Sequence, residues 1–113
     1  MYTGKIVNEG EIKDVDRVVE HDGKWLNPEY SLRVVNHSPT GFCWGYNGSG
    51  PAQLALAILL EHFKGDQVRA KALYMDFKFA VISKLSMDSD FELTDEEVES
   101  AISVIDAQRM KNA

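Results

Sequence analysis

The segment from Pro51 to Lys64 constrains the fold more than any other part of the sequence. Nearly all of its positions are apolar: Leu54, Ala55, Leu56, Ala57, Ile58, Leu59, Leu60 and Phe63. Proline suits the first turn of a helix, and Gly65 directly after the segment is a frequent helix stop. A helix without a polar face is stable only when other elements surround it. The sequence therefore predicts a central, buried helix over residues 51–64.

A second helix is predicted over residues 66–85. Asp66 is a suitable N-cap residue, and apolar side chains recur after it at helical spacing. The main stripe comprises Ala70, Leu73, Tyr74, Phe77 and Val81. Met75, Phe79 and Ile82 widen this apolar face.

A third helix, over residues 94–110, begins inside an acidic run. Thr94 and Glu97 have the spacing of a capping box, in which each side chain bonds the backbone N–H of the other residue. The preceding Asp88–Glu92 segment is similar to the start of a calcium-binding loop. However, Leu93 stands where such a loop requires glycine. The acidic run therefore predicts a solvated loop and a well-capped helix, and no metal site.

The N-terminal part, residues 1–47, predicts a small antiparallel sheet. Residues 2–7 have the pattern of a strand, and residues 17–26 form a hairpin pattern with Asp-Gly at its turn. Extended segments are also predicted at residues 32–35 and 42–46, the latter with alternating aromatic side chains. The whole chain, residues 1–113, is thus predicted to be one α+β domain, in which a sheet of N-terminal hairpins packs against three C-terminal helices.

Charge and cysteine content exclude several classes of function. The formal net charge is −6, which disfavours duplex nucleic acid as a partner because such binding depends on neutralising phosphates with Lys and Arg. The single cysteine, Cys43, permits neither an internal disulfide nor a cysteine-rich zinc site. The longest apolar stretch, residues 54–60, is too short to cross a bilayer. We expect a cytoplasmic protein with no cofactor and no membrane partner.

The stretch between the predicted sheet and the central helix is the candidate binding site. It combines glycines, which allow close backbone approach, with aromatic side chains and a helix N-terminus, which attracts anions. The candidate ligand-binding residues are Arg33, His37, Trp44, Tyr46, Gly48, Ser49 and Gly50. Trp44 or Tyr46 would stack on a base. The alternative is a purely structural turn in which Ser49 caps the helix.

A catalytic role is not expected. His37 with Cys43 or Ser49 is the available base and nucleophile combination, but nothing in their spacing requires a catalytic pair. The three histidines share no i, i+4 spacing of the kind that holds zinc on a helix. The glycine-rich segment also lacks the Lys-Ser/Thr ending of a P-loop. We therefore predict no catalytic residue and no enzyme.

The central motif resembles a family of small uncharacterised proteins found in bacteriophages, plasmids and bacteria. The motif is HSPTGFCWGY at residues 37–46 followed by GSGPAQLALA at residues 48–57. The opening Tyr2-x-Gly4 and the residues 91–98 also look like this family, so the resemblance covers most of the chain. It implies an accessory protein, often of mobile elements, in a bacterial host cell. It implies no reaction, cofactor or catalytic residue.

Four functional hypotheses follow. The first is a non-enzymatic accessory protein of phage or mobile-element origin that binds and modulates a host protein, such as a defence component. The second is a small-ligand module that binds an anion or nucleotide at the glycine-rich loop before the central helix. The third, which the residues support least, is an enzyme with His37 and Cys43 or Ser49 in a hydrolase-like role. The fourth is a structural role with homodimerisation through the sheet edge. We expect the first, and the acidic charge favours a basic protein surface as the partner.

Overall fold

A four-stranded antiparallel sheet forms from the N-terminal hairpin, a short edge strand and one strand from later in the chain. The structure is a computed structural model that describes residues 1–8 and 15–111. The strands are β1 (Tyr2–Asn8), β2 (Val15–His21), β3 (Lys24–Trp25) and β4 (Phe91–Leu93). Their order in the sheet is β3-β2-β1-β4, and every neighbouring pair is antiparallel. The predicted antiparallel sheet is confirmed, while β4 was not predicted.

The β2–β3 hairpin turns at the predicted Asp-Gly pair. Asp22 and Gly23 both have positive φ angles, 53° and 81°, as the tight turn that matches strand twist requires. The inner face of the sheet carries the buried Tyr2 and Val19 together with Phe91. Gly4, opposite Val19 on β1, leaves space that the Phe91 ring fills. A small residue in β1 therefore allows β4 to pack closely against the hairpin.

Within residues 1–8 and 15–111, four α-helices and one 3₁₀ turn complete the fold. The helices are α1 (Pro28–Val34), α2 (Ser49–His62), α3 (Gln67–Ala80) and α4 (Asp95–Lys111), and the 3₁₀ turn spans Ile82–Lys84. The α+β fold is confirmed, with one helix more than the three predicted. No described helix combines the length and the apolar character that crossing a membrane needs.

Helix α1 replaces an extended segment that was predicted at residues 32–35, so that prediction was wrong. Asn27 accepts a hydrogen bond from the backbone N–H of Glu29 at 3.0 Å, and Pro28 is the first helical residue. An Asn-Pro pair that ends a strand also provides an N-cap and a preorganised first turn. The β-rich part of residues 1–47 therefore ends near Trp25.

Helix α2 is the buried centre of the molecule, as predicted. Every residue from Gly50 to Leu60 is buried. The helix ends where Gly65, with φ 88°, donates its N–H to the carbonyl of Leu60 at 2.8 Å. It begins at Ser49, two residues before the predicted start, and its N-cap is Gly48. Ser49 is therefore not the helix cap.

Helices α3 and α4 are both present as predicted, but their boundaries differ from the predicted ones. Helix α3 ends at Ala80, before the predicted residue 85, and the 3₁₀ turn follows. Asp66 caps α3 by accepting from Arg69 N at 3.1 Å. The capping box of α4 is confirmed, because Thr94 N donates to Glu97 Oε1 at 3.1 Å and Glu97 N donates to Thr94 Oγ1 at 3.0 Å.

Two predictions about packing were wrong. Met75 and Phe79 of α3 are exposed by 39% and 47%, so they do not widen the buried face. Residues 42–46 form no strand, and their aromatic side chains do not share one face: Phe42 and Trp44 are buried, whereas Tyr46 is exposed. Both errors arise because periodicity indicates which residues share a face but not which face is covered.

Candidate functional site

A wide groove lies between the sheet edge and the start of α2. Its volume is about 740 Å³, which is within the range of ligand-binding clefts. Its walls come from β2, β3, the start of α1, the loop after α1 and the first turn of α2. Residues that line it include Arg17, Trp25, Cys43, Tyr46, Ser49 and Gly50. We call it the aromatic groove.

Trp25 gives the aromatic groove an exposed apolar rim. This side chain is 62% exposed, although it belongs to the edge strand β3. It also borders two neighbouring concavities, one of about 320 Å³ with Tyr30 in its wall and one of about 290 Å³ along α1. We call Trp25, Tyr30, Tyr46 and the three concavities the aromatic surface. Trp and Tyr are the residues most often found at binding hot spots.

Tyr46 lies across the N-terminus of α2, and two glycines make that position possible. A Cβ atom at Gly48 would lie 2.5 Å from the Tyr46 ring, and one at Gly50 would lie 2.6 Å from Cβ of Cys43. Partial burial raises the pKa of the Tyr46 phenol above its ordinary value; contact with Cys43 adds to the rise, whereas Arg17 acts in the opposite direction. These glycines therefore serve packing around Tyr46.

Arg17 places a positive charge in the wall of the aromatic groove. Its guanidinium lies 4.8 Å from the Trp44 ring centroid, and Nη2 donates to the carbonyl of Met87 at 2.9 Å. Nη1 is buried and has no hydrogen-bond partner among the residues that the structure describes. Arg17 was not a sequence candidate, because only the three-dimensional packing of Trp44 brings it to the groove.

The first turn of α2 forms another part of the wall. No side chain caps this helix at Gly48, and no acidic residue lies in its first turn. Pro51 has no N–H, and Ala52 N donates to Gly48 O. The N–H groups of Ser49 and Gly50 are therefore the helix donors nearest the groove, where the helix dipole favours negative charge.

The structure brings some of the predicted site residues together and separates others. Tyr46, Ser49 and Gly50 line the aromatic groove, and Gly48 caps the helix beside it. Trp44 is fully buried, donates from Nε1 to the carbonyl of Ser89 at 3.0 Å and so offers no free face for a base.

Two charged candidates lie apart from the groove lining. Arg33 is on the exposed side of α1, where it is 3.7 Å from Glu29. His37 Nε2 lies 2.7 Å from the hydroxyl of Tyr74. The groove wall includes Cys43 but not His37. The structure therefore places the base and the thiol that the sequence offered as a pair in different surroundings.

A buried glutamine holds the loop between α1 and the groove in place. Gln53 of α2 is fully buried, and its Oε1 accepts from His37 N at 2.8 Å and Ser38 N at 3.2 Å. Its Nε2 donates to Ser31 Oγ at 2.9 Å and Val35 O at 3.0 Å. All four hydrogen-bonding positions of the amide are satisfied. This buried polar residue therefore fixes the path of residues 31–38.

Comparison with known protein families gives one result that bears on these features. The model of a family of unknown function, DUF6166, matches residues 4–104. The chain belongs to DUF6166. The match covers the aromatic groove, most of α4 and the sheet from Gly4 onward, so the matched residues include the whole groove lining. Neither the curated proteins nor the solved structures contain a match to this DUF6166 chain.

A second polar cluster of this DUF6166 protein lies at the open end of the sheet. His21, Asp22 and Asp95 each offer one atom within 4.8 Å of the others, which is the spacing of a metal site. The ammonium group of Met1 already donates to Asp22 at 2.9 Å and to Asp95 at 3.0 Å. This contact lowers the pKa of Asp95, and the bond from His21 lowers it further. The cluster is explained as a set of ion pairs that fastens β1 to α4.

Proposed function

We propose that this DUF6166 chain is a non-enzymatic accessory protein that binds and modulates a host protein through its aromatic surface. The observation that carries the proposal is Trp25, which is 62% exposed and borders three adjoining concavities. A large apolar side chain in that position is stabilised when a partner removes it from water. The proposed compartment is the cytoplasm of a bacterial host.

The shape of the aromatic surface favours a protein over a small molecule. Its exposed aromatic side chains are spread over three open concavities rather than gathered in one enclosed cavity. Protein interfaces use such separated Tyr and Trp anchors, whereas small-ligand sites enclose most of the ligand surface. Several partner side chains can enter the three concavities at once.

Charge favours a partner with a basic surface. The chain has 18 acidic and 12 basic residues, so its overall field attracts cations and repels other acidic proteins. Long-range attraction of this kind accelerates encounter and weakens as salt is added. The proposed complex therefore forms more slowly at high ionic strength, while the contact at Trp25 determines how long it lasts.

The resemblance of the 37–57 motif to phage and plasmid proteins supports a mobile-element origin and a host component as the target. A host defence protein is the kind of target that such an accessory protein meets. A non-enzymatic role is supported by the hydrogen bonds of His37 and Cys43, because Nε2 of His37 bonds the Tyr74 hydroxyl and Sγ of Cys43 donates to the carbonyl of Trp44.

Affinity capture from a bacterial lysate tests this proposal. The immobilised wild-type chain, Trp25→Ala and a control, Met110→Ala, are compared at equal loading. Met110 is exposed in the last turns of α4 and lies outside the aromatic surface. We expect a saturable host protein that Trp25→Ala binds at least about 30-fold more weakly, as for a hot-spot truncation, and that Met110→Ala retains. A partner lost equally from both variants, or no saturable partner, contradicts the proposal.

A second candidate function is supported by Arg17. Arg17 lines the same groove as Ser49 and Gly50, at the N-terminus of α2 that no side chain caps. Its buried Nη1 has no hydrogen-bond partner among the described residues. A phosphate or the phosphate group of a nucleotide fits that combination, and Tyr46 would contact a base. Thermal shift with inorganic phosphate and with nucleotides tests it. Saturable stabilisation that Arg17→Gln abolishes supports ligand binding, and a flat response with every anion contradicts it.

A further inference from the structure

Strand β2 has one edge that the fold covers only in part. Strand β1 pairs with all seven residues of β2, whereas β3 pairs with only the last two. One further bond runs from Leu26 N to Val19 O at 2.8 Å, and the chain then turns away into α1. On the side of β3, residues 15–18 therefore have no neighbouring strand within the part of the chain that the structure describes.

The alternation of hydrogen bonds along β2 shows which backbone groups face this open side. Successive residues of an antiparallel strand direct their N–H and C=O groups to opposite sides. On the β1 side, Asp22 N donates to Met1 O at 2.9 Å. On the other side, Val19 accepts from Leu26, so the odd-numbered residues of β2 face away from β1. The N–H and C=O groups of Arg17 therefore face the open side, where neither has a backbone partner among the described residues.

The opposite edge of the sheet is blocked by a side chain. Strand β4 pairs with β1 only as far as Gly4, and beyond that point Asp90 Oδ1 accepts a hydrogen bond from Ile6 N at 2.8 Å. Unpaired backbone at a sheet edge invites pairing with another chain, and proteins commonly block it. The β1 edge is blocked in this way, whereas the β2 edge at Arg17 borders the aromatic groove.

We propose that the aromatic groove takes an extended segment of the partner protein, which pairs with β2 from Arg17 toward Val15 and continues the line that β3 leaves. An extended backbone offers N–H and C=O groups at the spacing that an open strand edge requires. In such strand addition, main-chain hydrogen bonds supply affinity and the neighbouring side-chain pockets supply specificity. The inference rests on the proposed function, because it names how the partner enters the aromatic surface.

The position of the β2 edge favours a single segment over a second copy of this chain. Besides Arg17 and Val18 of β2, the groove is lined by Ser38, Thr40 and Gly41 of the loop after α1. A single extended segment needs only the width of one strand, about 4.8 Å, between the edge and that loop. A two-fold dimer would have to bring this edge against the same edge of the second copy. The loops that border the two grooves would collide first.

Charge complementarity specifies one side chain of the bound segment. The residue that pairs with Arg17 projects from the same face of the sheet as the Arg17 side chain, with the two Cβ atoms about 5 Å apart. Arg17 Nη2 already donates to Met87 O, but the buried Nη1 has no partner among the described residues. A carboxylate is the strongest acceptor for a guanidinium. We therefore expect Asp or Glu at this position of the segment, within a partner whose surface is basic overall.

Amide hydrogen exchange, followed by NMR on the full chain, tests the strand pairing. The probe is a synthetic peptide, chosen by selecting random peptides displayed on phage against the immobilised protein. In the free protein, the N–H of Arg17 should exchange faster than that of Val18, which faces β1. The peptide should slow exchange at Arg17 at least about tenfold and change Val18 much less. A bound peptide that leaves Arg17 unprotected, or a selection that enriches no peptide, overturns the inference.

Matched variants test the acidic residue of the peptide. Arg17→Gln keeps the backbone N–H but removes the charge, so it should weaken binding of the acidic peptide at least about tenfold. Arg33→Gln removes a cation outside the groove lining and should leave binding unchanged. Circular dichroism establishes that both variants fold. Equal weakening by both variants contradicts the expected contact.

The exchange measurement also separates this inference from the proposed function. Protection of the Arg17 N–H by the peptide, without capture of any host protein, supports the strand pairing and contradicts the proposed function alone. Capture of a host protein that depends on Trp25, with a peptide that leaves Arg17 unprotected, supports the proposed function and overturns the strand pairing.

Discussion

Replacing Gln53 by leucine should destabilise the protein more than any exposed substitution. The change keeps the side-chain volume nearly constant, so it creates little cavity and isolates the loss of hydrogen bonds. Four hydrogen bonds disappear, and the backbone N–H groups of His37 and Ser38 lose their acceptor. At about 1 kcal/mol for each of the four bonds, with an added penalty for each buried group left unpaired, the loss should be at least about 4 kcal/mol.

Urea unfolding, followed by circular dichroism, measures this loss directly. The control is Gln108→Leu on the exposed side of α4, which should change the free energy of unfolding by no more than about 0.5 kcal/mol. The slope of the transition should be unchanged in both variants. A loss below about 1 kcal/mol for Gln53→Leu would refute the reasoning, because it would mean that residues 31–38 are not held by this amide.

Three further predictions concern the turns, the ion pairs and the tryptophans. Gly23→Ala should lower the free energy of unfolding by about 1 kcal/mol, because residue 23 has a positive φ angle. Gly45→Ala should lower it by at least about 2 kcal/mol, because a Cβ atom at residue 45 would also collide with the backbone of Met87. Urea titration of both variants measures the two losses. Hydrogen bonds from the N-terminal ammonium group, and then from His21, lower the pKa of Asp95. The ionised Asp95 carboxylate therefore stabilises the fold at any pH above the ordinary aspartate pKa. This stabilisation is lost as the pH falls through the lowered pKa of Asp95 in the folded protein. The difference in urea midpoint between wild type and Asp95→Asn should therefore shrink in acid, and a difference independent of pH would contradict this. In Trp25→Phe, the remaining tryptophan fluorescence comes from the buried Trp44 and should be blue-shifted and poorly quenched by acrylamide. In Trp44→Phe, it comes from the exposed Trp25 and should be red-shifted and well quenched.

Much of the fold could be predicted from local signals. The apolar α2, the Asp-Gly turn and the Thr94–Glu97 capping box each depend on residues close together in the chain, and the structure has all three. Helix α1 could not be predicted from Asn27-Pro28 alone, since this pair both ends strands and begins helices. Strand β4 is only three residues long and is held in the sheet by its pairing with β1. No local sequence pattern indicates this pairing, because the two strands are far apart in the chain.

The candidate site was predicted only in part, because it depends on contacts distant in sequence. The residues before α2 do line a groove, but the Trp44 ring packs against Phe91 of β4 and Arg17 of β2, which are distant in sequence. Arg17 and Trp25 become part of the groove through the position of the hairpin. The role of Gln53 could not be predicted from periodicity. It depends on the backbone groups of the 31–38 segment, which reach Gln53 only in the folded chain.

The central claim is that the aromatic surface is where a partner docks, and site-specific photo-crosslinking tests it most directly. A photoreactive phenylalanine analogue is placed at Tyr30, inside the aromatic surface, or at Val104, an exposed apolar position of α4 outside it. Each variant is irradiated in a bacterial lysate. The account predicts a discrete covalent adduct with one host protein from position 30 and none with that protein from position 104. An adduct from position 104 alone, or the same adducts from both positions, would contradict it.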